Sequence, residues 1–212
     1  MGANSDVQIC NLALTLLGAD RITSLTQDIK EARACNAMFA NVRDDVLADH
    51  IWNFASKRAN LAVVTGDPVF TDDGVTIIYQ LPTDFIRLTH VNFRGALVKI
   101  EGDKLLSNTA LLAIKYIFRE TDTQKYSSKF VLALATRLAA DLAFEITASR
   151  SLEAQKLLEY HDKRLPQAIT VDSQQGTPRV PMQSDILFSR LHGGSSDIVG
   201  QTGWDTWSPV CF

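Results

Sequence analysis

The chain has 212 residues, 46% of them apolar and 21% charged, with Lys and Arg (21) nearly balancing Asp and Glu (24) for a net charge of −3. That length suits one sizeable domain, or a domain with an arm, stable without disulfide or metal staples. The charge balance excludes the strongly basic character of a protein that clamps duplex DNA across a whole domain.

The first element opens with Ser5-Asp6-Val7-Gln8, a capping box in which a hydroxyl starts the helix and Gln follows three residues on. Ile9, Leu12, Ala13, Leu16 and Leu17 then make one apolar stripe, and Gly18 ends the helix. After a polar link, a second helix is predicted over residues 28–47, burying Ala32, Cys35, Phe39, Val42 and Val46, with Arg33, Arg43 and Asp44 facing elsewhere. A third, shorter helix is predicted over 49–60, carrying Trp52, Phe54 and Ala55.

From 62 to 119 the pattern changes to short β-branched and aromatic runs at 75–81, 86–93, 96–100 and 113–118. Turn signals separate them at Gly66-Asp67-Pro68, Asp72-Asp73-Gly74, Arg94-Gly95 and Glu101-Gly102-Asp103. This is the signature of hairpins in a small antiparallel sheet. Pro82-Thr83-Asp84 breaks the first strand and sets a turn.

Helix returns over 126–148, where Phe130, Leu134, Leu138, Leu142 and Ile146 form a row beside Ala133, Ala135, Ala139, Ala140 and Ala143. The alanines permit close approach of a neighbouring helix, from the same chain or another copy. A last helix over 151–171 carries Leu157, Leu158, His161, Leu165 and Ile169, with Pro166 inside it as a kink. The expected organisation is an α+β protein. Residues 1–61 and 120–171 form a helical bundle, 62–119 an inserted small antiparallel β-domain, and 172–212 an extended C-terminal arm. That arm holds three prolines, five glycines and six serines, yet also Phe188, Trp204, Trp207 and Phe212. Disordered tails are poor in aromatics, so these four are the expected partner-binding anchors, the alternative being an arm that folds back on its own domain.

Chemistry-bearing residues form no recognisable motif. The four histidines, His50, His90, His161 and His192, include no HExxH and no metal spacing, and P-loop, GxGxxG and GxSxG patterns are missing. His192-Gly193-Gly194-Ser195-Ser196 lacks the flanking strand and helix of a phosphate cradle and reads as a hinge. Cys10, Cys35 and Cys211 make no CxxC pair; Cys10 and Cys35 are expected as buried reduced thiols. No catalytic residue, metal ligand or cofactor is therefore assigned. With no secretion signal in MGANSDVQIC and no apolar run of ~20 residues, synthesis in the cytoplasm and no membrane association are expected.

Several stretches are more telling together than alone. They are Ile9-Cys10-Asn11-Leu12-Ala13-Leu14 with Leu17-Gly18; Glu31-Ala32-Arg33-Ala34-Cys35-Asn36; and Arg43-Asp44-Asp45-Val46-Leu47 running into His50-Ile51-Trp52-Asn53-Phe54-Ala55 and Arg58-Ala59-Asn60-Leu61-Ala62. Tyr79-Gln80-Leu81-Pro82-Thr83-Asp84-Phe85-Ile86-Arg87 and Leu138-Ala139-Ala140-Asp141-Leu142-Ala143 follow. In this order they resemble the tail tubular protein A family, the head-to-tail adaptors, or gatekeepers, of short-tailed bacteriophages. The resemblance covers about Val7 to Thr170, and its most specific pieces are W-N-F-A and Y-x-L-P-x-D.

The resemblance implies a helical bundle with an inserted β-domain and a ring of twelve copies. Such a ring docks on the portal above and the tail nozzle or tube below, and DNA passes transiently through it without sequence-specific binding. It implies a structural protein of the virion, at the head–tail connector, and no enzyme. Trp52 and Phe54 are expected to wedge the helices together, and Pro82 and Asp84 to shape a turn whose carboxylate caps the backbone. A lumen lined with carboxylates would let DNA slide. Two other classes compete: a virion-associated hydrolase, which needs a cleft of convergent titratable groups, and a DNA-binding regulator, which would use Arg43, Lys57 and Arg58 and show salt-dependent binding.

Overall fold

The computed structural model describes residues 5–64, 74–93 and 95–176. The turn signals at 66–68 and 72–73, Arg94, Cys211, and the arm anchors Phe188, Trp204, Trp207 and Phe212 lie outside the described residues. What is described is an α+β fold with two apolar cores.

Helix α1 (Asp6–Leu17) starts at the expected capping box: Ser5 Oγ accepts the Gln8 N–H at 3.3 Å, and Gln8 Oε1 accepts the Ser5 N–H at 3.2 Å. Gly18 closes it at φ 73°, a conformation that glycine adopts without a Cβ clash. The Asn11 amide then donates to Ile22 O at 2.8 Å and accepts the Ile22 N–H at 2.7 Å, pinning the connection to α2 (Lys30–Asp49). All five residues of the expected α2 stripe are buried. Arg43 and Asp44 are only partly turned to solvent, because Arg43 Nε and Nη2 both donate to Asp44 Oδ1, at 3.0 and 2.9 Å.

Helix α3 (Ser128–Thr147) is the central one and packs against α1, α2, α4 (Arg150–Glu159) and α5 (Leu165–Ser173). Its five named alanines are all buried within this chain, so the close approach they permit is intramolecular. A π-helical turn, Tyr160–Arg164, separates α4 from α5, and Pro166 falls in the first turn of α5. Proline has no N–H to give to the carbonyl four residues back, and the wider turn absorbs that mismatch. The face that α4 and α5 bury differs from the expected one. Tyr160, Ala168 and Asp172 are inside, whereas Leu158 is 65% exposed and His161 faces solvent.

The helix expected over 49–60 does not form. Helix α2 ends at Asp49, His50 is extended at φ −139°, and residues 56–60 are strand β1 (Ser56–Asn60). Pairing with a partner strand supplies what the local sequence does not, and tertiary context overrides helix propensity. The remaining strands are β2 (Ile77–Gln80), β3 (Phe85–Val91), β4 (Val98–Glu101), β5 (Lys104–Ser107) and β6 (Ala113–Phe118). They form two antiparallel sheets, ordered β1-β6-β3 and β2-β5-β4. The β-module thus begins at Ser56, ahead of the boundary expected at residue 62. Gly102, at φ 61°, heads the two-residue loop of the β4–β5 hairpin.

Past β1 the chain crosses to the second sheet, where Gln80 N–H donates to Ala62 O at 3.1 Å and Val64 N–H to Ile78 O at 2.8 Å. The space between the sheets is filled by Tyr79, Leu81, Leu105, Leu112, Ile114 and Tyr116. The central strand β6 serves both cores. Ile114 and Tyr116 point between the sheets, while Ile117 joins the helical core with Trp52, Ala55 and Phe130.

Candidate functional site

The W-N-F-A piece falls where the helical core meets β1, and the Y-x-L-P-x-D piece between the two sheets. Because α2 stops at Asp49, residues 51–55 make a turn that drives Trp52 into the helical core, fully buried. Its Nε1–H donates to Val46 O at 2.9 Å, satisfying one of the carbonyls left open at the end of α2. The indole meets His50 and Phe130 edge-on, each with centroids 4.9 Å apart, and Phe54 stands 4.9 Å from Phe130 and 5.5 Å from Tyr126. Edge-to-face packing of this kind adds to area burial. The expected aromatic wedge exists, but on a turn between α2 and β1 and not on a helix.

Asn53, between those aromatics, does work that its sequence position does not advertise. Its backbone N–H lies 3.1 and 3.2 Å from the two carboxylate oxygens of Asp172, and its amide donates to Asp172 O at 2.7 Å and Oδ2 at 3.1 Å. His50 Nε2 adds a contact at 3.4 Å to Oδ2. Asp172 is only 3% exposed, and a buried carboxylate needs such donors to be tolerable. The expected arm boundary at Asp172 is therefore corrected: residues 172 and 173 complete α5, and the compact body runs to Gly176.

Asp84 makes the second tie. The turn itself is closed by the Phe85 N–H to Pro82 O, at 3.1 Å. The Asp84 side chain reaches across the sheet instead of serving chiefly as a cap: Oδ2 accepts from Lys57 Nζ at 2.9 Å and Oδ1 from the Tyr116 hydroxyl at 3.0 Å. Partial burial raises the carboxyl, but the hydrogen bonds from Lys57 and Tyr116 outweigh it and hold Asp84 below the usual range. Burial and the same bond push the Tyr116 phenol up to about 12. Tyr79 and Leu81 of the same motif are buried between the sheets, and the Tyr79 hydroxyl donates to Thr109 O at 2.7 Å.

Further contacts bind the layers. Arg87 Nη1 donates to Ala48 O at 2.9 Å, Arg119 Nε to Asp44 Oδ2 at 2.6 Å, and the Tyr160 hydroxyl to Asp49 Oδ2 at 2.5 Å. Burial and its bond to Asp49 push the Tyr160 phenol well up. Cys10 and Cys35 are buried free thiols that face each other, and hydrogen bonding to Cys35 with burial pushes the Cys10 thiol up. Among the described residues, no group of three or more His, Cys, Asp or Glu side chains is arranged to hold a metal ion. Among the same residues, no helix is long and apolar enough to cross a membrane.

Fold and joint together define the class: an α+β protein in which an aromatic wedge and the Asp172 tie fix the turn after α2 to α3 and α5, while Asp84 cross-links the strands of one sheet. No family model matches the chain, and no curated protein is significantly similar to it.

Proposed function

We propose that this chain is a subunit of a head-to-tail adaptor ring, a structural protein of a phage virion that joins portal to tail and lets DNA pass. The observation that carries the reading is the use made of the two most specific motif pieces. Trp52, Asn53 and Phe54 of one lock the turn after α2 into the helical core, while in the other Tyr79 and Leu81 fill the space between the sheets, Pro82 closes a turn and Asp84 cross-links strands. That is the economy of a rigid building block. The ordered resemblance to the tail tubular protein A family supplies the assembly: twelve copies, the portal on one side and the tail nozzle or tube on the other. In this reading the protein is made in the host cytoplasm, needs no cofactor and turns over no substrate. Phe188, Trp204, Trp207 and Phe212 anchor the segment after Gly176 on a partner.

The test is assembly. Purified full-length protein is mixed with purified portal rings and followed by light scattering and electron microscopy. The expected result is a second ring of density with a mass increment of twelve chains. Portals that stay bare at saturating protein would overturn the proposal.

A further inference from the structure

The helices cover one face of the β1-β6-β3 sheet only in part. Ile117 lies against the helical core, but farther along the same face Arg58 on β1 stands directly opposite Lys115 on β6, and His90 on β3 stands opposite Lys115 from the other side. The pleat alone would not place His90 there. Leu88 pairs with Tyr116 on the inner side, and the register then shifts before His90, turning its ring outward. An earlier shift puts Arg87 opposite Ile117 on this same face. Bulges that re-aim a side chain recur beside functional sites. Here the bulge leaves the Thr89 hydroxyl buried without a hydrogen-bond partner.

Like charges directly opposite one another weaken a sheet. The side chains of Arg58, His90 and Lys115 nevertheless have no hydrogen bond or ion pair among the described residues. With Asn60 and Asn92 they line an open groove of about 320 Å³, to which, among the described residues, no carboxylate and no Phe, Tyr or Trp side chain contributes. Hydrogen-bond donors and cations without a counter-charge are what an oxyanion needs.

We propose that this groove binds phosphate groups, and that its occupant is the sugar–phosphate backbone of nucleic acid. Neighbouring strands lie ~4.8 Å apart, so the row spans roughly 10 Å. Phosphates recur every ~3.4 Å along the axis of each duplex strand, so a row of that length meets consecutive phosphates. Contacts from cations and amides to phosphate fix position and carry no sequence information, so the contact reads charge and not sequence. An acidic peptide would meet the same cations, so polyglutamate is the competitor that tests for it. That nucleic acid is the source of the phosphates rests on the connector reading; the groove itself rests on strand register.

The test uses full-length protein and a labelled duplex of random sequence at about 50 mM salt, read by fluorescence anisotropy. Wild type binds weakly. The double variant Arg58→Ala/Lys115→Ala loses at least tenfold in affinity, and its salt slope falls by about two. Its thermal midpoint stays the same or rises, because opposed like charges have been removed. Lys129→Ala, an exposed lysine at the start of α3, binds as wild type. Absence of wild-type binding, or equal binding by the double variant, would overturn the site. Displacement of the duplex by inorganic phosphate or polyglutamate at equal charge concentration would overturn nucleic acid as its occupant. Bare portals with intact duplex binding would sink the connector alone.

Discussion

Asn53 and Asp172 stand 119 residues apart in sequence, yet the backbone and side chain of one are held by the carboxylate and carbonyl of the other. The turn carrying the aromatic wedge is thereby fixed to the last turn of α5. Truncation should be read against that tie. Removing 177–212 is expected to leave a folded body that no longer decorates portals, whereas removing 172–212 also strips Asn53 of its acceptor. The single change Asp172→Ala should cost about 1–3 kcal/mol, the desolvation penalty of the orphaned donors. Thermal unfolding of the three forms checks this: equal midpoints for both truncations would show that the tie contributes nothing.

Trp52 offers two separable effects. Trp52→Ala removes a fully buried indole at the contact of α2, α3 and β1 and should destabilise by about 3–5 kcal/mol, enough to threaten folding. Trp52→Phe keeps most of the packing but leaves Val46 O without its donor, for a further test at about 1–3 kcal/mol. Urea unfolding should rank the proteins wild type, Phe, Ala. A Phe variant as stable as wild type would assign the residue's role to shape alone.

The Asp84 pair predicts a window of stability bounded at both ends. The folded carboxyl sits below its unfolded value near ~3.9, so its contribution is present above that value and is lost as pH falls through the lower folded one. Tyr116 runs the other way. Its folded value is raised to about 12, so its contribution is present below the unfolded value near ~10 and is lost as pH rises toward 12. Asp84→Asn should flatten the stability profile below pH ~4 and, by removing the charge that opposes phenolate, also flatten it above ~10. Denaturant midpoints across the pH range measure both arms. An Asn variant with the wild-type acid slope would place that slope on other carboxylates.

Local physics made half of the fold legible in the sequence. The capping box at Ser5, the end at Gly18 and the buried stripe of α2 each follow from spacing within one element, and the structure shows them as read. The misses are long-range. Strand β1 exists because β6 lies beside it, and nothing within residues 56–60 says so. Strand β5, only Lys104–Ser107, buries Leu105, Leu106 and Ser107 in succession and so shows no alternation to detect. The partners of Asn53 and Asp84, and the row formed by Arg58, His90 and Lys115, depend on register, which composition averages away. The capping Asp in Pro82-Thr83-Asp84 was legible as a turn residue, but its real partners lie on other strands.

Leu111 carries strain that has a measurable sign. It takes φ 57°, where a branched side chain is disfavoured, and it is 86% exposed, so no packing repays the cost. Asn92 holds the conformation in place, donating to Leu111 O at 3.3 Å and accepting the Ala113 N–H at 3.0 Å. Leu111→Gly should relieve roughly 1–2 kcal/mol of left-handed strain against ~0.5–1 kcal/mol of added unfolded-state entropy, a small net gain. Leu111→Val, β-branched and less tolerant of positive φ, should lose about 1 kcal/mol instead. If chemical denaturation ranked Val above Leu and Gly below it, the backbone at 111 would have to be relaxed in solution, and the grip of Asn92 on this loop would be weaker than its hydrogen bonds indicate.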